Sequence, residues 1–168
     1  MEEVENHAIA ILNAAQTNYD TEFDDEIRFN LVEQFISTCD ACDPWTKSTD
    51  AVELLTDYME WAQTAWENAV DTIDQSSLWS QRDYARDGNT AANGLAFINT
   101  VCTEYGSMIV EDNDTGERKR VLFAHELGHN FGASHDDAGT NFIMSTPLAE
   151  TNEWSSQSTA SILSLIHI

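Results

Sequence analysis

The chain of 168 residues has no run of about 18 apolar residues, the length that spans a bilayer, so no membrane-spanning helix is expected. Its first residues, Met1-Glu2-Glu3-Val4-Glu5, are acidic and lead into no apolar stretch, so no signal peptide is visible. Positive charge is scarce: 7 Lys and Arg stand against 30 Asp and Glu, a net charge of −23. A field of that sign repels nucleic acid and anionic membrane, and neither is expected as a partner. It would steer cationic peptides, but the simpler reading is solubility in a medium salty enough to screen the repulsion. Cysteine is scarce too, and three cannot all pair within one chain. Cys39 and Cys42 form C-x-x-C without the second pair that a structural zinc site needs, which leaves a local disulfide or two free thiols. No internal repeat and no linker interrupts the chain.

What is there describes one folded domain, residues 1–168. Hydrophobic content of 42% and five tryptophans supply a core, and a domain of about 150 residues buries roughly 68–70% of its unfolded surface. Ala8, Ile9, Ile11, Leu12 and Ala15 mark a helix over 7–17. Ile27, Phe29, Leu31 and Phe35 alternate with polar residues, as in a half-buried strand. Pro44 breaks a loop over 39–48. Asp50, with Glu53 three residues on, is placed to cap a helix. Val52, Leu55, Met59, Ala62 and Trp66 predict that helix's apolar face. Residues 83–93 read as a loop, 95–101 and 107–111 as strands, and 112–116 as a turn with Asp114 or Thr115 as a cap. A helix then runs to about Phe131, with Phe123, Leu127 and Phe131 turned to the sheet; a weaker helix covers 159–165.

The chemistry is concentrated in residues 125–135, His-Glu-Leu-Gly-His-Asn-Phe-Gly-Ala-Ser-His, which spell H-E-x-x-H-x-x-G-x-x-H. His125 and His129 fall on one helix face about 6 Å apart along the axis, close enough to share a metal ion. Glu126 can reach a water held at that metal. Gly132 permits a sharp turn that returns His135 as a third ligand. Three protein ligands leave one tetrahedral position open, the mark of a catalytic zinc. At this composition the short H-E-x-x-H alone arises by chance in about one such chain in a hundred, and the full pattern in on the order of 10⁻⁵. His7 and His167 lie outside it and read as ordinary residues.

The motif resembles that of the metzincin zinc endopeptidases. Asp136 after the third histidine and Asn130-Phe131 before Gly132 resemble the reprolysin or adamalysin branch, which holds snake-venom and disintegrin-type metalloproteinases. Asn141-Phe142-Ile143-Met144-Ser145 is similar to that branch's Met-turn, with Met144 beneath the zinc. Residues 93–102 resemble its edge strand and following cysteine, 106–112 the next strand, and Leu78-Trp79-Ser80 a central strand.

The resemblance implies an α+β fold: a mixed twisted sheet packed with helices in an upper part, 1–135, and a short irregular lower part, 136–168. It implies hydrolysis of peptide bonds, with one zinc held by His125, His129 and His135, Glu126 as general base, and Gly132, Asp136 and Met144 in support. Substrate would lie along Leu95, Ala96, Phe97 and Ile98, with Ser145, Thr146, Pro147 and Leu148 walling the specificity pocket. Asp74 stands where some relatives carry a calcium-binding aspartate; calcium is not expected. The family partner of Cys102 lies near the domain's C-terminus, where this chain has no cysteine. The family's first strand is not seen before His7, so an excised or incomplete catalytic domain, monomeric and extracellular, is expected. An astacin-like or matrixin-like protease, an inactive zinc-containing binding or adhesion module, and a fragment without function are the alternatives.

Overall fold

The computed structural model describes residues 2–67, 72–90, 92–113 and 116–167. Four helices surround a small sheet: α1 (Glu2–Phe23), α2 (Ala51–Ala65), β1 (Ser76–Ser80), β2 (Gly94–Ala96), β3 (Ser107–Glu111), α3 (Gly116–Asn130) and α4 (Ser156–Ile166). Among the described residues the sheet has the order β1-β3-β2, so β3 is the middle strand and residues 78–80 lie on an edge rather than at the centre. β3 runs parallel to β1, with Leu78 opposite Ile109, and antiparallel to β2, with Leu95 opposite the same Ile109. All five β3 residues are buried, as expected of a strand covered on both faces.

The pleat divides the interior. Leu78, Leu95 and Ile109 point to α2 and join Ala51, Leu54, Leu55, Tyr58, Ala62 and Tyr84. Trp79, Ala96 and Met108 point to α3 and join a core drawn from α1, α3, α4 and the segment around Met144. Asp50 caps α2 as expected, its Oδ1 accepting from Val52 N and Glu53 N at 3.0 Å. Glu53 does not close the reciprocal box; it binds Ser48 Oγ, which in turn accepts from Asp50 N. The buried face of α2 keeps Leu55, Met59 and Ala62 of the expected stripe but is broader and shifted at its start. Val52 is 52% exposed, whereas Leu54 and Tyr58 are buried.

The strand expected over 27–35 does not form. Gln16 takes the place of a neighbouring strand: its Nε2 donates to Ile27 O and its Oε1 accepts from Phe29 N. Only Ile27 and Phe29 pack inward; Leu31 and Phe35 remain 45% and 47% exposed. Helix α1 is longer than its sequence stripe, and Ile9 lies on its solvent side. The cap expected at Asp114 or Thr115 falls outside the described residues. Phe123, Leu127 and Phe131 meet more than the sheet: Phe131 lies 6.0 Å from Tyr19 of α1, and Phe123 contacts both Phe29 and Trp79. Cys39 and Cys42 are joined in a disulfide, and Cys102 is a free, exposed thiol.

Candidate metal centre

Helix α3 ends in a Schellman turn, and the turn builds the centre. Ala133 N donates to Gly128 O at 2.9 Å and Gly132 N to His129 O at 2.8 Å, with Gly132 at φ +93°. A side chain there would be strained, so glycine is required. The reversal brings His135 back over the helix. The ring centroids of His125, His129 and His135 lie 4.8–5.1 Å apart, pair by pair. His135 Nε2 stands 3.1 Å from His125 Nε2 and 3.2 Å from His129 Nε2.

Two backbone carbonyls fix the orientation of the rings. His125 Nδ1 donates to Ile143 O and His129 Nδ1 to Ala133 O, each at 2.7 Å. With the proton assigned to Nδ1 by those bonds, each ring presents a bare Nε2 lone pair to the others. His135 has at most one proton to offer between them, so the trio is satisfied by a cation placed among the nitrogens. Burial, helped by the neighbouring imidazole, lowers His125 to about 3. Burial also lowers His129 to about 4 and depresses the more exposed His135. Neutral imidazoles are what a divalent metal binds, and carbonyl-oriented Nδ1–H groups are their usual support. The donor set therefore fits zinc.

Glu126, which follows His125 in α3, is buried, and burial raises its carboxyl to about 8, with Arg86 opposing. Gly94 of β2 leaves room for it: a Cβ there would sit 2.6 Å from Glu126 Oε1. Gly128 plays the same part below, where a Cβ would meet Met144 Sδ at 2.7 Å and the Trp154 ring at 3.1 Å. Met144 is fully buried, and its thioether lies against α3 at Gly128.

Three comparisons with known proteins agree with this geometry. Residues 6–136 match the model of metallo-peptidase family M12B, reprolysin-like. The chain belongs to this family. It is 33% identical over 131 residues to snake venom metalloproteinase acutolysin-C of Deinagkistrodon acutus, covering 75% of this chain and 30% of that protein. A disintegrin and metalloproteinase with thrombospondin motifs 19 of Mus musculus is 30% identical over 76 residues, 44% of this chain and 6% of that one. The fold is similar to that of a zinc-dependent peptidase from Methanocorpusculum labreanum strain Z, with TM-score 0.59 and 16% identity over 92% and 94% of the two chains. The matched part spans under a third of the length of acutolysin-C.

Other residues singled out in this reprolysin-like sequence are placed as follows. Asp136 N donates to Met144 O at 2.9 Å, and its Oδ1 accepts from Ser155 and Ser158 at the start of α4. Leu95 and Ala96 lie in β2, an edge strand, but Phe97 and Ile98 lie beyond it. The strand expected to reach 101 ends early because residues 99–101 close the end of α3: Asn99 N donates to His129 O, and Thr100 N and Val101 N donate to Asn130 O. Ser145 is fully buried, bonded to Thr140 and Phe142, while Thr146, Pro147 and Leu148 reach the surface to different degrees. Asp74 is exposed near Cys102, whose N it binds through its carbonyl.

Several contributors had no structural role assigned from the sequence, where Asn130 served only as a mark of the branch. Asn130, inside the motif but at a variable position, is fully buried; its Nδ2 donates to Phe97 O, Thr100 Oγ1 and Ser107 O, and its Oδ1 accepts from Gln75. Tyr19 OH donates to Ala124 O, holding α1 to the ligand-bearing turn at 3.0 Å. The carbonyls of Ile143 and Ala133 leave no trace in residue type at all.

Proposed function

We propose that this chain is the catalytic domain of a zinc-dependent endopeptidase, with protein or peptide as substrate. The observation that carries the reading is the convergence of three imidazole nitrogens, all ligand atoms within 4.8 Å, next to a buried carboxyl. His125, His129 and His135 hold the ion. Zinc there supplies Lewis acidity, acidifying a water and polarising a carbonyl. Glu126 takes the proton of the attacking water and returns it to the leaving amine. Burial raises that carboxyl to about 8, and a divalent ion at the histidines would lower it toward the ionised form that accepts a proton.

The remaining residues orient and bind. Ile143 O and Ala133 O keep the first two ligands in the correct tautomer. Gly132 delivers the third, Met144 supports the helix from below, and Asp136 braces the segment that follows it, joining Met144 to the start of α4. An extended peptide pairs with the main chain of β2 at Leu95 and Ala96, continuing toward Phe97 and Ile98. Ser145 shapes the wall from inside, and Thr146, Pro147 and Leu148 face the substrate side chain. The disulfide Cys39–Cys42 and the venom relatives favour an extracellular setting.

The deciding experiment measures bound zinc and cleavage of a peptide library before and after chelation. Loss of cleavage on chelation and return with zinc supports the assignment. A protein that binds zinc yet cleaves nothing is instead a binding module, and the hydrolytic reading is then wrong.

A further inference from the structure

Arg86 stands at the rim of the metal centre, on the loop between β1 and β2. Residues 86–89 form a two-residue hairpin: Arg86 N donates to Asn89 O and Asn89 N to Arg86 O, both at 2.9 Å. Asp87 and Gly88, at φ 53° and 77°, supply the two left-handed positions such a turn requires. The base of the hairpin is pinned. Ala85 N donates to Thr49 O and Ala51 N to Ala85 O, each at 2.8 Å. Glu111, at the end of β3, grips the loop on both sides, accepting from Tyr84 N through Oε1 and from Asn93 Nδ2 through Oε2. Gly94, the next residue, is the one packed on Glu126. The hairpin is therefore a fixed ledge beside the catalytic carboxyl.

The side chain on that ledge has been left without a protein partner. Arg28 pairs with Asp25, Arg82 with Asp43, Lys119 with Asp112 and Arg120 with Glu117. Arg86 is exposed, and among the described residues its guanidinium has no hydrogen bond and no ion pair. This is notable in a chain with 30 acidic residues. Its positive charge bears on Glu126, His129 and His135, which places the hairpin's cation near the centre. The hairpin thus carries a cation in the loop whose far end, at Gly94, packs on the Glu126 carboxyl.

We propose that Arg86 forms a carboxylate-binding subsite at the edge of the metal centre, which takes an acidic side chain or the terminal carboxylate of the bound peptide. A guanidinium presents parallel N–H donors that match a carboxylate's two oxygens. The surrounding negative field makes the subsite selective: acidic peptides are disfavoured elsewhere on the surface and held only where this cation waits. The inference rests on the hydrolytic reading above and narrows its substrate class.

The test starts from any library peptide that the protein cleaves. Versions are made with Glu or Gln at each of three positions on either side of the cut, each with a free or an amidated C-terminus. The expected result is a preference for Glu over Gln at one position, or for the free over the amidated terminus, of roughly three- to fivefold in kcat/KM, the scale of one exposed ion pair. The arm that responds identifies the source of the carboxylate. R86A should abolish the preference, R86K should keep part of it, and R86E should reverse it in favour of Lys. In wild type the preference should shrink in about 1 M salt, where the screening length is roughly 3 Å. If R86A slows all peptides by one common factor, Arg86 acts only through Glu126 and the subsite is overturned. If no peptide is cleaved by the zinc-loaded wild type, the hydrolytic reading fails first, and this inference falls with it.

Discussion

The two faces of the sheet carry cores of different construction. On the α2 side the buried residues run from Ala51 to Ile109, and the outer layer is a set of interlocking rings: Trp45, Tyr58, Trp61 and Trp66, with Phe35 at the margin. The polar grip there is peripheral: Glu111, at the end of β3, holds Tyr84 N and Asn93. On the α3 side the core reaches from Ile11 to Ile162, and polar atoms are threaded through it: Asn18 accepts from Arg120 and Trp154, Tyr19 holds Ala124, and two carbonyls hold two histidines. The first core holds the sheet flat against a helix. The second also has to position imidazoles, so it is gathered from nearly the whole chain.

The comparison is tested hardest at Glu126. E126Q should keep bound zinc, since the ligands are untouched, while peptide cleavage falls by about 10²–10⁴-fold. Cleavage that survives the change would move the chemistry off this face. Next come paired truncations. L54A on the far side and M144A on the near side remove buried side chains, and each should cost about 2–5 kcal/mol in denaturant unfolding. Only M144A should also weaken zinc retention in a chelator competition; equal weakening by L54A would mean the two cores are not separate.

The third prediction concerns pH, in metal-free protein. His125 and His129 are lowered to about 3 and 4, so below 6.5 the unfolded chain binds more protons and stability rises with pH across that window. Glu126 is raised from 4.5 to about 8, so between those values the folded chain binds more protons and stability falls as pH rises. Only the second effect remains above 6.5. The unfolding midpoint should therefore decline from about pH 6.5 to pH 8, and E126Q should flatten that decline. An unchanged slope in E126Q would show that its carboxyl is not held neutral by burial. The smallest effect is expected at Val52, on the exposed side of α2: V52A should stay within about 0.5 kcal/mol of wild type.

Val52 also shows where sequence reading failed. Its 3-4-3-4 pattern with Leu55, Met59 and Ala62 was real, and those three are buried, but Leu54 and Tyr58 widen the buried face to one side and leave Val52 outside it. The alternation over 27–35 was equally real, yet a side chain of α1 satisfied the backbone that a partner strand would have bonded. Periodicity states which residues can share a face and is silent on what will cover it. The clustering of the three histidines was legible for the opposite reason. Their spacing is local, one helix and one turn, and Gly132 is dictated by its own backbone. Gly94, Glu111 and Arg86 lie outside any such local pattern. Their importance comes from what the fold brings near them, which no spacing along the chain encodes.

Trp154 gives the molecule a built-in spectroscopic reporter. Its ring touches Gly128 between the first two ligands, while Trp45, Trp61 and Trp66 gather on the opposite face. Replacing those three by phenylalanine would leave fluorescence from Trp79 and Trp154 alone. Emission would then follow metal loading and peptide docking at the histidine cage in real time, without any attached dye.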